Sequence, residues 1–214
     1  MKNRPIIILG FGGHAGVLLD TLTLLNKNIK GYVAPQKDDN FGLDFLGSDE
    51  AIQKYDPEEV ILVNGLGSLP GSNRRWELEK KFSELGYEFE AVLHPSAVIA
   101  TNTKLSKGVQ VMAGVVIQPN VVIGDSTIIN TGATIDHDSS IGAFCHISPG
   151  VTISGNVNIK DNVYIGAGTI VIQGIRIASE VAVGAGSLIY NDIDSGKQLL
   201  QPRNESLKNI DAFN

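Results

Sequence analysis

Asp136-His137-Asp138 sets an imidazole between two carboxylates, a tripeptide suited to moving a proton. An unperturbed histidine titrates near pH ~6.5, which suits a general base at neutral pH. A carboxylate beside it can fix the tautomer and support the imidazolium that forms. Gly155 follows His137 by eighteen residues, and a glycine leaves its backbone N–H approachable by a carbonyl oxygen that becomes an oxyanion. His146 follows His137 by nine. Base, orienting carboxylate and oxyanion donor together could carry an attack on a carbonyl carbon. Each residue also has a plain reading: Asp and Gly are ordinary at tight corners, and a lone outward His is common on surfaces. Their spacing has to decide.

That spacing belongs to a repeat. From Ile99 to Ile189 a branched aliphatic residue recurs every six positions, as at Val111, Ile117, Ile123, Ile135, Ile147, Ile165 and Val183. A second small or β-branched residue precedes each by two, as at Ala97, Val121, Ala133, Cys145 and Val181. Three positions after the aliphatic residue stands Gly, Asn or Asp in thirteen of sixteen hexads, residue types that accept φ > 0. Each hexad therefore reads as a short strand and a tight corner, with both apolar sets on one inward face. A helix would spread a period of six around its circumference. A parallel β-helix keeps it, three strands and three corners closing a coil of eighteen residues.

In that register His137 and Asp138 occupy a corner, and Gly155 is the same corner one coil on, about 5 Å away. His146 faces outward from mid-strand, more than roughly 10 Å from His137 within one column. A site holding both histidines would then be built between chains, and threefold closure is a natural arrangement. Cys145, the single cysteine, points inward. It excludes an internal disulfide, fits a reducing cytosol, and reads as core packing instead of a nucleophile.

Ahead of the repeat, Ile6–Leu9 is a continuous apolar run, the mark of a strand buried on both faces. Gly10-Phe11-Gly12-Gly13-His14-Ala15-Gly16 follows, then a helical pattern through Val17, Leu18, Leu19, Leu22 and Leu25. A strand, a glycine turn and a helix start make an anion site from backbone N–H groups. Further strands are expected around Gly31–Ala34, at Val60–Asn64 and over 87–93. A helix is expected over Ser72–Leu85, capped by Ser72, with Trp76, Leu78, Phe82 and Leu85 as its apolar face. Arg74 and Arg75 in its first turn oppose the helix dipole, which a nearby anion would explain. The second strand ends in Ala34-Pro35, with Asp38 and Asp39 late for a ribose-binding carboxylate, so a mononucleotide or nucleotide-sugar fits better than NAD. The expected division is an α/β domain over 1–93, a β-helix over 94–192 and a polar tail over 193–214.

Net charge is −6 with no basic cluster, which argues against nucleic acid as the main partner. No run is long and apolar enough to span a bilayer, and residues 5–9 lead into glycines as a strand does. A cytoplasmic protein is expected.

Strict hexads, the glycine-rich βα turn, His94-Pro95-Ser96-Ala97-Val98-Ile99 and the acidic-His-acidic corner resemble the hexapeptide-repeat acyltransferases. Specifically, the chain is similar to sugar-nucleotide acetyltransferases of the bacillosamine and perosamine pathways and to the related sialic acid O-acetyltransferases. The resemblance implies a small Rossmann-like parallel sheet joined to a left-handed parallel β-helix, a homotrimer, and acetyl-CoA as co-substrate without a metal. It implies His137 as base and Asp138 as its partner, with His146, Gly155 and Ala185 toward acetyl-CoA. Gly10, Gly12, Gly13, His14, Asn64, Gly65 and Arg74, the last within an Asn73-Arg74 pair, would hold the nucleotide-sugar. The chain departs from the family at Ala34-Pro35 and at Leu200-Gln201-Pro202-Arg203. The expected reaction is N-acetylation of a nucleotide-linked amino sugar, with a UDP-4-amino-4,6-dideoxy sugar as acceptor. The alternatives are O-acetylation of sialic acid or another sugar, a zinc hydratase on the same scaffold, and a non-catalytic nucleotide-sugar scaffold.

Overall fold

The computed structural model describes residues 4–38 and 42–199, so Asp39 and the segment from Leu200 lie outside the described residues. The chain opens with four parallel strands, β1 (Ile6–Leu9), β2 (Ile29–Val33), β3 (Phe45–Gly47) and β4 (Ile61–Asn64), in the order β3-β2-β1-β4. Two helices, α1 (Gly13–Leu24) and α2 (Arg74–Glu84), accompany them, with a 3₁₀ helix at Asp49–Lys54. Ile6 and Ile8 pack with Leu18 and Leu22 of α1 on one side of the sheet; Ile7 and Leu9 pack with Ile52 and Phe82 on the other. Alternation within one buried strand thus feeds two layers.

Several local expectations shift. The 45–54 region carries a strand and a 3₁₀ helix that the apolar pattern did not announce. Helix α2 starts at Arg74 after Asn73, with no side-chain cap from Ser72. Its buried face is Arg75, Glu79 and Phe82, while Trp76 and Leu85 are exposed. Segment 87–93 is no single strand. Phe89 bridges to Leu62 beside β4, whereas β5 (Val92–Leu93) pairs with Gln110–Val111 of the column. The chain changes sheets between them, so the column begins at Val92.

From there the hexads form a left-handed β-helix. Two-residue strands stack in three parallel sheets of seven, six and five strands, pairing at a spacing of eighteen up to Ile189, as His146 with Ile128 and with Tyr164. The aliphatic positions make one continuous core from Val109 to Ile189, and Cys145 sits in it at 1% exposure. Corners adopt φ > 0 even where the residue type resists it, as at Ser126, Phe144 and Glu180. The stacked hydrogen bonds impose the turn on whatever residue arrives there. Beyond Ile189, expected to dissolve into tail, one more turn forms with shorter spacing: Ile193 bridges to Ile177 and Gln198–Leu199 pairs with Ala182–Val183. No helix among the described residues is long and apolar enough to cross a membrane.

The column tolerates neither voids nor added bulk. Ile147→Ala should lower stability by about 2–5 kcal/mol. A Cβ on Gly142 would meet Asp161 N and Lys160 C at 2.7 Å, so Gly142→Ala should also lower Tm, by a shift corresponding to roughly 1–3 kcal/mol. Thermal unfolding of the two variants beside the parent checks both.

Candidate active site

His137 stands at the corner between the six-stranded and five-stranded sheets with its side chain 59% exposed. Its Nδ1 lies 2.7 Å from Asp138 Oδ2. A carboxylate only accepts, so Nδ1 carries the proton and Nε2 keeps its lone pair. Asp138 takes φ +60 at the corner, and its other oxygen accepts from Asn120 Nδ2 at 2.9 Å. Asn120 is the same corner one coil earlier, and Asn102, one coil before that, hydrogen-bonds to it. Asn120 is not among the residues expected from the sequence, although the eighteen-residue spacing that relates Gly155 to His137 relates Asn120 to Asp138 in the opposite direction.

Asp136 is turned to the backbone, accepting from His137 N at 2.8 Å. Hydrogen bonding to Asp138, then the charge of Asp136, raises the His137 pKa above its ordinary value. His137 in turn holds the Asp138 carboxyl below its usual range, with help from Asn120. Gly155 lies directly under the ring: a Cβ there would come within 2.9 Å of His137 Cε1 and Nε2. Its carbonyl accepts from Gly174 N, while its own N–H has no acceptor among the described residues.

A second cluster forms where the α/β domain meets the seven-stranded sheet. His146 points out of the column as expected, but the docked domain covers it to 7% exposure, so it is no surface histidine. It stacks on Tyr164 with centroids 5.1 Å apart. Burial, then the nearby His14 and Arg75, pulls its pKa down to about 4. The structure therefore brings His146 to His14, on a different side of the column from His137. His14, in the first turn of α1, places Nε2 2.7 Å from Gln110 Oε1, and burial lowers it likewise to about 4.

The remaining nucleotide-sugar candidates divide. Gly12 and Gly13 are exposed with open space where a Cβ would stand. Gly10 and Arg74 line one depression with Pro35, Leu66 and Lys81. Asn64 and Gly65 instead sit behind the wall of the site. Asn64 is 2% exposed and donates to Arg75 O and Glu79 Oε2, and Gly65 packs against Leu9 O and Ala15. Arg75 needs no external anion. Burial lowers it to about 10, still charged at neutral pH, and Glu79, one helical turn on, opposes that lowering. Its guanidinium donates to Asn64 O, Leu66 O and Ser126 O. Ala185 is exposed at the edge between the seven-stranded and six-stranded sheets, away from the His137 edge. Cys145 is shut in, and burial pushes its thiol up to about 12.

Known proteins share this fold. A family model described as bacterial transferase hexapeptide (six repeats) matches residues 102–137. The acetyltransferase domain of PglB from Neisseria gonorrhoeae, solved with acetyl coenzyme A, is 31% identical over 92% of this chain and 95% of that one, with a TM-score of 0.85. A mutant of perosamine N-acetyltransferase from Caulobacter crescentus, solved with CoA and GDP-perosamine, is 33% identical over 91% and 92%, with a TM-score of 0.83. WeeI from Acinetobacter baumannii is 17% identical over 91% and 95% at a TM-score of 0.65, a likeness of fold.

The His137–Asp138 contact has a direct test. The His137 pKa, followed by NMR titration, should lie above 6.5 in the parent. It should fall in Asp138→Asn, because the variant removes the negative charge that favours imidazolium and leaves one amide oxygen where two carboxylate oxygens accepted from His137 and Asn120. An unchanged value would mean that the pair does not form in solution.

Proposed function

Because the chain belongs to the hexapeptide-repeat acetyltransferases that act on nucleotide-linked sugars, we propose that it transfers the acetyl group of acetyl-CoA to the amine of a nucleotide-linked amino sugar. The observation that carries the reading is His137 itself: an exposed imidazole with Nδ1 committed to Asp138, above a glycine, with neither Nε2 nor the glycine N–H hydrogen-bonded among the described residues. His137 Nε2 takes a proton from the amine as its nitrogen attacks the thioester carbon. Gly155 N–H supports the oxyanion, and coenzyme A leaves as the thiolate when the tetrahedral intermediate collapses. Asn120 and Asp138 keep the ring in the orientation and tautomer this requires.

The glycine turn, His14 and Arg74 hold the nucleotide-sugar, its phosphates facing the start of α1. His14 and His146 share one side of the column and His137 another edge. A site that uses all three is completed by a second chain, which supports a trimer with acetyl-CoA between neighbours. His146 and Ala185 serve the coenzyme in that arrangement. The relatives solved with acetyl coenzyme A, and with CoA and GDP-perosamine, support the two substrate classes. A UDP-4-amino-4,6-dideoxy sugar is the acceptor proposed here, and the cytoplasm the compartment.

Release of thiol from acetyl-CoA, measured across UDP-, dTDP- and GDP-linked amino sugars and sugar hydroxyl acceptors, tests the reading. Amine acceptors should be consumed, whereas a hydroxyl-only profile would replace it with O-acetylation. His137→Ala should cut kcat by roughly 10²–10⁴, the scale of lost acid–base catalysis. Cys145→Ala should keep most of the activity, because a buried thiol held near 12 offers almost no thiolate at neutral pH. The acid limb of the kcat/KM profile should lie above pH 6.5, since His137 acts deprotonated and its pKa is raised. Asp138→Asn should move that limb to lower pH.

A further inference from the structure

His14, Gln110 and Asn64 form a hydrogen-bond chain whose direction follows from its fixed end. The backbone carbonyl oxygen of Asn64 has no proton to give. Gln110 Nε2 lies 2.8 Å from it, and Arg75 Nη1 donates to the same oxygen at 2.9 Å. The Gln110 amide must therefore turn its nitrogen to Asn64, because the opposite orientation would set two oxygens together. At 1% exposure, Gln110 has no bulk water to relieve such a clash. With the nitrogen committed, Oε1 faces His14 Nε2 at 2.7 Å, and an acceptor there requires Nε2 to carry the proton.

In a neutral ring Nδ1 then holds the lone pair. That atom has no partner among the described residues and is not sealed from solvent. Neutrality is what the surroundings favour. Burial opposes a charged His14, Arg75 of α2 opposes it further, and His146 is the facing titratable group of the column.

We propose that Gln110 is a positioning residue that holds His14 as a hydrogen-bond acceptor at Nδ1, so that the Gly12-Gly13-His14 turn selects a sugar hydroxyl or amine at that point and not a phosphate oxygen. A phosphate oxygen brings lone pairs against a lone pair, whereas a hydroxyl or amine brings a proton. The inference rests on the nucleotide-sugar reading of the turn. It assigns that turn two ligand chemistries: backbone N–H groups for anionic oxygens, and one imidazole acceptor for a donor on the sugar.

The test is a long-range ¹H–¹⁵N correlation spectrum of the full chain labelled with ¹⁵N-histidine, assigned with His14→Asn. At pH 7 His14 should be neutral with the proton on Nε2. An imidazolium or an Nδ1–H tautomer would overturn the proposal. Addition of a UDP-linked amino sugar should shift the Nδ1 resonance and UDP alone should not; an equal shift with UDP would also overturn it. Gln110→Met should release the tautomer, and Gln110→Glu should charge the ring. Both should raise KM for the nucleotide-sugar by roughly tenfold, the scale of one lost hydrogen bond, with KM for acetyl-CoA unchanged. A parental tautomer in Gln110→Met, or equal rises in both KM values, would count against it. The nitrogen resonances report whether or not acetyl transfer occurs, so failure of the assignment and failure of the acetyltransferase reading are separate results.

Discussion

The backbone ladder between coils is the constraint on which everything else here depends. Within the column a two-residue strand is hydrogen-bonded to the strands eighteen residues before and after it, for example Thr134 with Val116 and with Thr152. Pairing that dense leaves no freedom to slip. One side chain inserted or lost would unpair every coil above it or turn its apolar set outward. The aliphatic core then fills behind the ladder, each fully buried Ile or Val contributing about 1.5–3 kcal/mol. Because the coils are congruent, a corner residue lies over the corner residue of the next coil. Asn120, Asp138 and His137 with Gly155 beneath it meet for that reason, although their loops are far apart in sequence.

A rigid column places His137 and Asp138, and the junction with the α/β domain places His14 and His146. The junction is polar where it matters. Arg75, Glu79, Asn64, Gln110 and Ser126 are all nearly excluded from water. Ser126 Oγ and Asn64 Nδ2 both donate to Glu79, and Arg75 donates to three carbonyl oxygens. Burial drives Glu79 up and Arg75 down, each toward its neutral form, while their mutual attraction resists both shifts. Such a network stabilises little compared with apolar packing, because desolvating the charges costs about as much as their attraction returns. What it supplies is orientation. A greasy junction of Val92 and Met112 alone could slide, whereas directed hydrogen bonds fix α2 and the glycine turn on the column in one pose.

Three histidines of the described chain illustrate how environment divides one residue type into several tasks. His137 is open to solvent between carboxylates, so its basicity rises. His146 is buried and His14 half-buried, beside one another and Arg75, so theirs falls. One is suited to taking a proton and the others to staying neutral, as a polar grip on an uncharged group requires.

Residue identity and period were enough to determine the column, its inward Cys145, the corner that holds His137 and the glycine stacked under it. All of these follow from a local rule repeated without interruption, six residues per strand and corner. The glycine turn between β1 and α1 was equally legible, because its signal is local. What the tertiary structure alone decided lies at contacts that no period encodes. The docked domain buries His146, the packing of α2 turns Arg75 and Glu79 inward, and a chain crossing between sheets divides residues 87–93. Asn64 and Gly65 fall behind the site for the same reason: a side chain's chemistry is written in the sequence, but the partners that consume its hydrogen bonds come from segments that only folding brings together.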